Sequence, residues 1–227
     1  QVLLLLFLLD NDGWYYNMST TINADTSNGL ELSSDTSGEI KLQSAGVDIA
    51  TVSSTGIAMA TGKTITGDGQ LTLGTKVDTT SVTAVDFTSI PSGVKRITIS
   101  LQGVSTNGTS YKQIQLGTGG SPTTSGYLAL GTVITTGPVG TLYTTGFGTR
   151  ALAAADVLEG SFTFTLLDSS TNTWVGSGSL GNSASGRPYS YLTNGSVTLS
   201  GTLDMVRLTT GNGTDSYDAG SINIMYE

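Results

Sequence analysis

The chain has 227 residues, 31 of them Gly, and only 11% are charged, which is too few for the exposed faces of a helix-rich domain. A hydrophobic share of 37% is too high for ordinary disorder, and a net charge of −8 with nine basic residues leaves no footprint for nucleic acid or an anionic membrane. The absence of Cys and His excludes disulfides, thiolate metal sites, and Ser-His-Asp or Cys-His chemistry within the chain.

Residues 1–17 form an apolar extension whose centre is the run Leu3 to Leu9. A bilayer span takes about 20 apolar residues, so this run does not cross a membrane. No basic residue precedes it and no small-residue cleavage site follows it, so it is a poor signal peptide. It reads as a buried strand or short helix at an assembly interface, unless Met18 is the natural start.

Residues 18–76 show short apolar pairs at strand spacing: Leu30 and Leu32, Ile40 and Leu42, Val47 and Ile49, Ile57 and Met59, then Ile65, then Leu71 and Leu73. Turn signals separate them, among them Ser44-Ala45-Gly46, Ser53-Ser54-Thr55-Gly56 and Gly67-Asp68-Gly69. One such pair contributes only a few kcal/mol at roughly 25 cal/mol per Å². Ordering the backbone costs roughly 1–2 kcal/mol per residue. The segment is therefore expected to share a core with copies of itself, as an intertwined trimer, or else to form a small independent β-domain.

Residues 77–227 read as one larger β-domain. The predicted strands are 82–87, 94–101, 111–116, 126–134, 140–144, 160–167, 173–179, 195–199, 205–209 and 221–226. Alternation is clear in Ile97-Thr98-Ile99-Ser100-Leu101 and Phe162-Thr163-Phe164-Thr165-Leu166. Asn107-Gly108, Asn194-Gly195 and Asn212-Gly213 read as turns rather than glycosylation sequons. Short strands at this spacing predict a β-sandwich of jelly-roll type. Residues 150–159 make at most a helical turn.

Several motifs carry no chemistry. Gly176, Gly178 and Gly181 match the dinucleotide fingerprint, but no helix follows to face a pyrophosphate. Asp10-Asn11-Asp12-Gly13 opens like a calcium loop whose remaining ligands are missing, and Asp215 with Asp218 lacks a third ligand. Glycoside hydrolysis needs two facing carboxylates; Asp156 with Glu159, or Asp204 with Asp218, are the available pairs, and nothing marks either. The expectation is no enzyme, no metal and no cofactor.

The aromatics point to binding. Tyr189 and Tyr191 follow Arg187-Pro188, and spacing of two puts both rings on one side of an extended segment. A Tyr ring offers an apolar face and a polar tip, which suits sugars or protein. Arg187 and Asn182 add hydrogen-bonding groups. The same tyrosines would equally pack between subunits or over the sandwich edge. Trp174 opens a predicted strand and reads as core before ligand platform. These five residues are the receptor-binding candidates.

From Met18 the chain reads MSTTINADTSNGLELSSDTSGEIKLQSAG, and later VDFTSIPSGVKRITISLQGVSTNGTS (85–110) and SYDAGSINIMYE (216–227). In this order the phrases resemble tail-fibre and appendage proteins of tailed bacteriophages, of the type infecting marine bacteria and cyanobacteria. The resemblance covers most of the chain after Met18. It implies a homotrimer joined to other tail proteins by its N-terminal region. It implies an extracellular virion location and a C-terminal head that touches the host, and it carries no catalytic residues. The expected partner is a host-surface polysaccharide or outer-membrane receptor. The competing readings are a purely structural virion component (capsid fibre, decoration protein or tail adaptor) and a polysaccharide-degrading spike, for which the chain is short.

Overall fold

The computed structural model describes residues 37–63 and 71–227. The apolar run at 3–9, the Asp10–Gly13 loop, the Leu30/Leu32 pair, Ile65 and the Gly67–Gly69 turn lie outside the described residues. Every regular element described is a strand, and the chain divides into two units, up to Ile65 and from Thr66 onward.

The first unit holds β1 (Ile40–Ser44), β2 (Val47–Ser53) and β3 (Gly56–Met59) as an antiparallel meander. Ala45 and Gly46 both have positive φ, 50° and 75°, which gives the β1–β2 turn the twist of its flanking strands. Among the described residues of this unit only Ala50 is buried, while Leu42, Val47 and Ile57 are about half exposed or more. The predicted pairs Ile40/Leu42, Val47/Ile49 and Ile57/Met59 each fall on one of these strands, and the described residues of the unit enclose almost no core.

The second unit begins with β4 (Thr72–Leu73), β5 (Val77–Asp78), β6 (Ala84–Phe87), β7 (Arg96–Thr106), β8 (Lys112–Thr118), β9 (Ser121–Pro122) and β10 (Leu128–Ile134). It continues with β11 (Val139–Tyr143), β12 (Phe147–Gly148), β13 (Leu158–Asp168), β14 (Thr173–Asn182), β15 (Ser190–Thr198), β16 (Met205–Thr210) and β17 (Tyr217–Tyr226). A nine-stranded sheet runs β11-β10-β15-β14-β13-β7-β17-β4, with β5 also on β17. A five-stranded sheet runs β12-β8-β16-β6, with β9 on β8. Leu73 pairs with Met225, so residues 71–76 join this unit instead of the N-terminal strands, and the expected boundary at 77 moves back.

Four antiparallel pairs are nested along the chain: β7 with β17, β8 with β16, β10 with β15, and β13 with β14. A jelly roll divides its strands between two comparable sheets. Here three of the nested pairs share the larger sheet.

The two sheets bury one core between them. Ile97, Ile99, Phe162, Phe164 and Ile224 face it from the large sheet, and Ile114, Leu116, Val206 and Leu208 from the small one. Phe147 sits between, edge-on to Tyr127 at 5.4 Å and to Phe164 at 4.9 Å. Two of the three fingerprint-like glycines belong to this packing, while a Cβ on Gly181 would meet nothing within 4 Å. Gly176 and Gly178 stand opposite Phe164 and Phe162, and a Cβ at either position would lie about 2.5 Å from the ring, at 2.5 and 2.4 Å. Glycine is required here because the rings fill the space of the missing side chains.

In β14 and β15 one reading holds and one changes, and Trp174 leaves the receptor-binding candidates. Trp174 is fully buried beside Leu166 and Val197 in the strand register, so it is core and not a ligand platform. Asn194-Gly195 is not a turn but the middle of β15; a Cβ on Gly195 would meet the Leu128 carbonyl at 2.4 Å. That glycine serves close strand approach.

Candidate functional site

The pairing of Ile134 with Ser190 brings the β10–β11 turn and the loop before β15 to the same end of the large sheet. Between them lies an open groove of about 630 Å³, lined by Ile134, Thr135, Thr136, Pro188 and Tyr189. Its floor is partly apolar and its wall carries two threonines. The Tyr189 ring is half-buried, and the Arg187 guanidinium carbon stands 5.3 Å from its centroid.

Beneath the loop is a polar hub. Asp156 is completely buried, and its Oδ1 accepts hydrogen bonds from Arg187 Nε at 2.6 Å and Asn182 Nδ2 at 2.7 Å. Its Oδ2 accepts the Ala153 N–H at 3.0 Å. Asn182 Oδ1 accepts the N–H groups of Val157 and Ala184, both at 3.0 Å, and its Nδ2 also donates to the Tyr191 hydroxyl at 3.3 Å. Each buried polar group is thereby satisfied, which is the condition for a buried network to fix one conformation.

The electrostatics follow from burial and charge. Burial pushes the Asp156 carboxyl up, but the Arg187 hydrogen bond, the Ala153 N–H, the Arg187 charge and the Asn182 amide together outweigh it, and its pKa falls below the ordinary carboxylate value. Burial and then the Asp156 charge push the Tyr191 hydroxyl up to about 12, so it stays protonated. A carboxyl depressed in the folded state stabilises the fold above its unfolded value of 3.8 and loses that contribution as pH falls through its folded value. Urea titrations of wild type and Asp156→Asn at pH 7 and pH 3 are therefore expected to show a stability gap that narrows at pH 3. An equal gap at both values would show that the carboxylate charge is not what holds the hub.

The structure brings together four of the five sequence candidates and separates their roles. Arg187 and Tyr189 border the groove. Asn182 and Tyr191 are buried beneath it, so neither is an exposed receptor contact: Asn182 positions the loop, and Tyr191 sits within the core cluster with Tyr189 packed at its rim. Trp174 lies in the core. Asp156 enters as the centre of the hub. Its sequence neighbours, RALAAADVLE, give no sign of this, because its partners lie 26 and 31 residues away.

The other acidic candidates are held by local bonds. Glu159 accepts from the Ser183 hydroxyl at 3.2 Å, Asp204 from the Gly120 N–H at 3.1 Å, and Asp218 from the Ser105 hydroxyl. Asp215 accepts from Asn212 Nδ2 at 2.6 Å and the Ser110 N–H at 2.9 Å. Among the described residues, no three His, Cys, Asp or Glu side chains are grouped to hold a metal ion. Comparison with protein-family models, with curated proteins and with solved structures gives no match to this chain.

Proposed function

We propose that this chain is a homotrimeric tail-fibre subunit of a tailed phage, non-catalytic, whose second unit binds a glycan on the host surface. In this reading the N-terminal region joins other tail proteins, and the groove beside Tyr189 receives the sugar. The observation that carries it is an open groove walled by an aromatic ring and two hydroxyl side chains, on a loop fixed from below by a satisfied buried network. A sugar ring presents C–H faces to an aromatic and hydroxyls to polar groups, and the groove offers both. Preorganisation of the loop reduces the ordering cost of binding, and three heads per fibre add avidity.

The test is Tyr189→Ala, measured by binding to host cells and by native mass. Tyr189 lies at the rim of the core, so the trimer is expected to persist while binding weakens about tenfold or more, the loss of one central aromatic contact. Unchanged binding by an intact trimer would sink the site.

The exposed apolar side chains of the first unit favour a second reading, a purely structural virion component in which that unit is buried against other tail or capsid proteins. Absence of cell binding by the wild-type fibre, together with its location on the particle away from the host-facing end, would select that reading.

A further inference from the structure

The chain contains the dipeptide Asn-Gly three times, at 107–108, 194–195 and 212–213, and all three Asn residues are exposed. Such a dipeptide modifies itself when its geometry allows, because glycine offers its backbone nitrogen to the asparagine amide with no side chain in the way. The reaction needs a glycine N–H that is not held by an acceptor and an asparagine able to turn toward it. The fold sets the three copies apart on both counts.

Asn194 lies in the middle of β15, paired with Leu130 and Ser177, and Gly195 is paired with Ala129 and Gly176. Neither residue turns without opening the sheet on both sides. Asn212 is outside the sheet but tied by its own turn. Its Oδ1 accepts the Thr210 hydroxyl at 2.9 Å and the N–H groups of Thr214 and Asp215 at 3.0 and 3.1 Å. Its Nδ2 donates to Asp215 Oδ1 at 2.6 Å, and the Gly213 N–H donates to the Thr210 carbonyl at 3.1 Å. Asn107 has the fewest ties. It follows the last residue of β7, its N–H donates to the Ser216 carbonyl at 2.9 Å, and its Oδ1 accepts the Ser216 N–H at 3.0 Å. Among the described residues, nothing accepts a bond from its Nδ2 or from the Gly108 N–H. Packing fixes the glycine: a Cβ at 108 would lie 2.1 Å from the Asp215 carboxylate, which accepts from Asn212 and Ser110.

We infer that Asn107 is a self-modifying site, the position at which the folded protein deamidates. The Gly108 nitrogen gives its proton to solvent and forms a bond to Asn107 Cγ. Nδ2 takes up a proton from solvent and leaves as ammonia, which closes a cyclic imide. Water then opens the imide at either carbonyl. The product is aspartate or, with the chain rerouted through the side chain, isoaspartate. The sum is amide plus water to acid plus ammonia, with no oxidant, metal or second protein. A negative charge is added beside Asp215, in a chain whose net charge is already −8. Isoaspartate also lengthens the backbone by a carbon atom, so the two bonds to Ser216 no longer fit together. The chemistry is the same whatever the chain binds.

The experiment is peptide mapping by mass spectrometry of the full-length protein aged in mildly alkaline buffer, one sample folded and one in guanidinium chloride. Each site is scored for the mass change from amide to acid and for isoaspartate. In denaturant the three sites are expected to convert at similar rates, since the reacting dipeptide is the same. In the folded chain Asn107 is expected to convert first, about tenfold faster than Asn194 and Asn212, which must break ladder or turn bonds before reacting. Near-ultraviolet circular dichroism from buried Trp174 shows that the fold persists through the aging. An order in the folded chain that does not put Asn107 first overturns the assignment. So does a folded chain whose Asn107 stays intact over the period in which the denatured chain converts.

Discussion

Asp156→Ala is expected to destabilise the second unit by about 3–5 kcal/mol, the usual result of removing one partner from a buried, hydrogen-bonded ion pair. The carboxylate has three donors at 2.6 to 3.0 Å; after truncation the Arg187 Nε and the Ala153 N–H lose this partner, and Asn182 Nδ2 keeps only the longer bond to the Tyr191 hydroxyl at 3.3 Å. Arg187 is one-third exposed and turns toward water at modest cost, so much of the penalty falls on the Asn182 amide and the Ala153 N–H. The loop from Ser183 to Tyr189 then loses its anchor. Chemical denaturation measures the first effect, and hydrogen exchange across residues 183–189 the second. Binding through the groove is expected to fall with it, although Asp156 itself lines no part of the groove. A variant that unfolds within 1 kcal/mol of wild type (a bound set by the cost of ordinary surface changes) would show that the hub does not hold the loop.

The second large effect is a reversal of sign between two neighbouring substitutions. Phe164→Ala is expected to cost about 3–5 kcal/mol, because a fully buried ring is lost from the middle of the core. The hole is enlarged by Gly176 opposite, which supplies no side chain to collapse into it. Gly176→Ala alone is expected to cost about 1–3 kcal/mol, since its Cβ would lie 2.5 Å from the Phe164 ring. Together they are not additive: with the ring gone, the new methyl occupies part of the cavity, and Gly176→Ala becomes neutral or stabilising in the Phe164→Ala background. A four-member cycle by urea denaturation reads the coupling directly. Simple additivity would show that the glycine is present for some reason other than the ring.

These two cases mark where sequence reading works in this protein. Strand positions were legible because alternation is local. Ile97-Thr98-Ile99-Ser100-Leu101 and Phe162 to Leu166 declare which residues share a face whatever the partner strand is. Each predicted strand of the larger domain overlaps an observed one; the errors sit at ends and glycines and in the two-residue strands β5, β9 and β12, which local pattern does not mark. β15 begins at Ser190, five residues before its predicted start, because Asn194-Gly195 looks like a hairpin turn. Gly195 instead lets the backbone of β10 come close, and only the register between strands shows that need.

Composition and local pattern determined the fold class, the thinness of the first unit's core, and the neighbourhood of the groove around Arg187 and Tyr189. Tertiary structure alone decided which residues face outward and which carry the loop. Tyr189 and Tyr191 are identical in type and two apart in sequence, yet one borders the groove and the other is sealed beneath it. The difference arises from where the β15 ladder meets the core. Asp156 became the anchor for the same reason: it stands two residues before Leu158, which pairs with Asn182 across the β13–β14 ladder, and that register brings the Asn182 amide and the Arg187 loop to a carboxylate out of water. No periodicity along the chain encodes a contact between segments that only the strand register brings together.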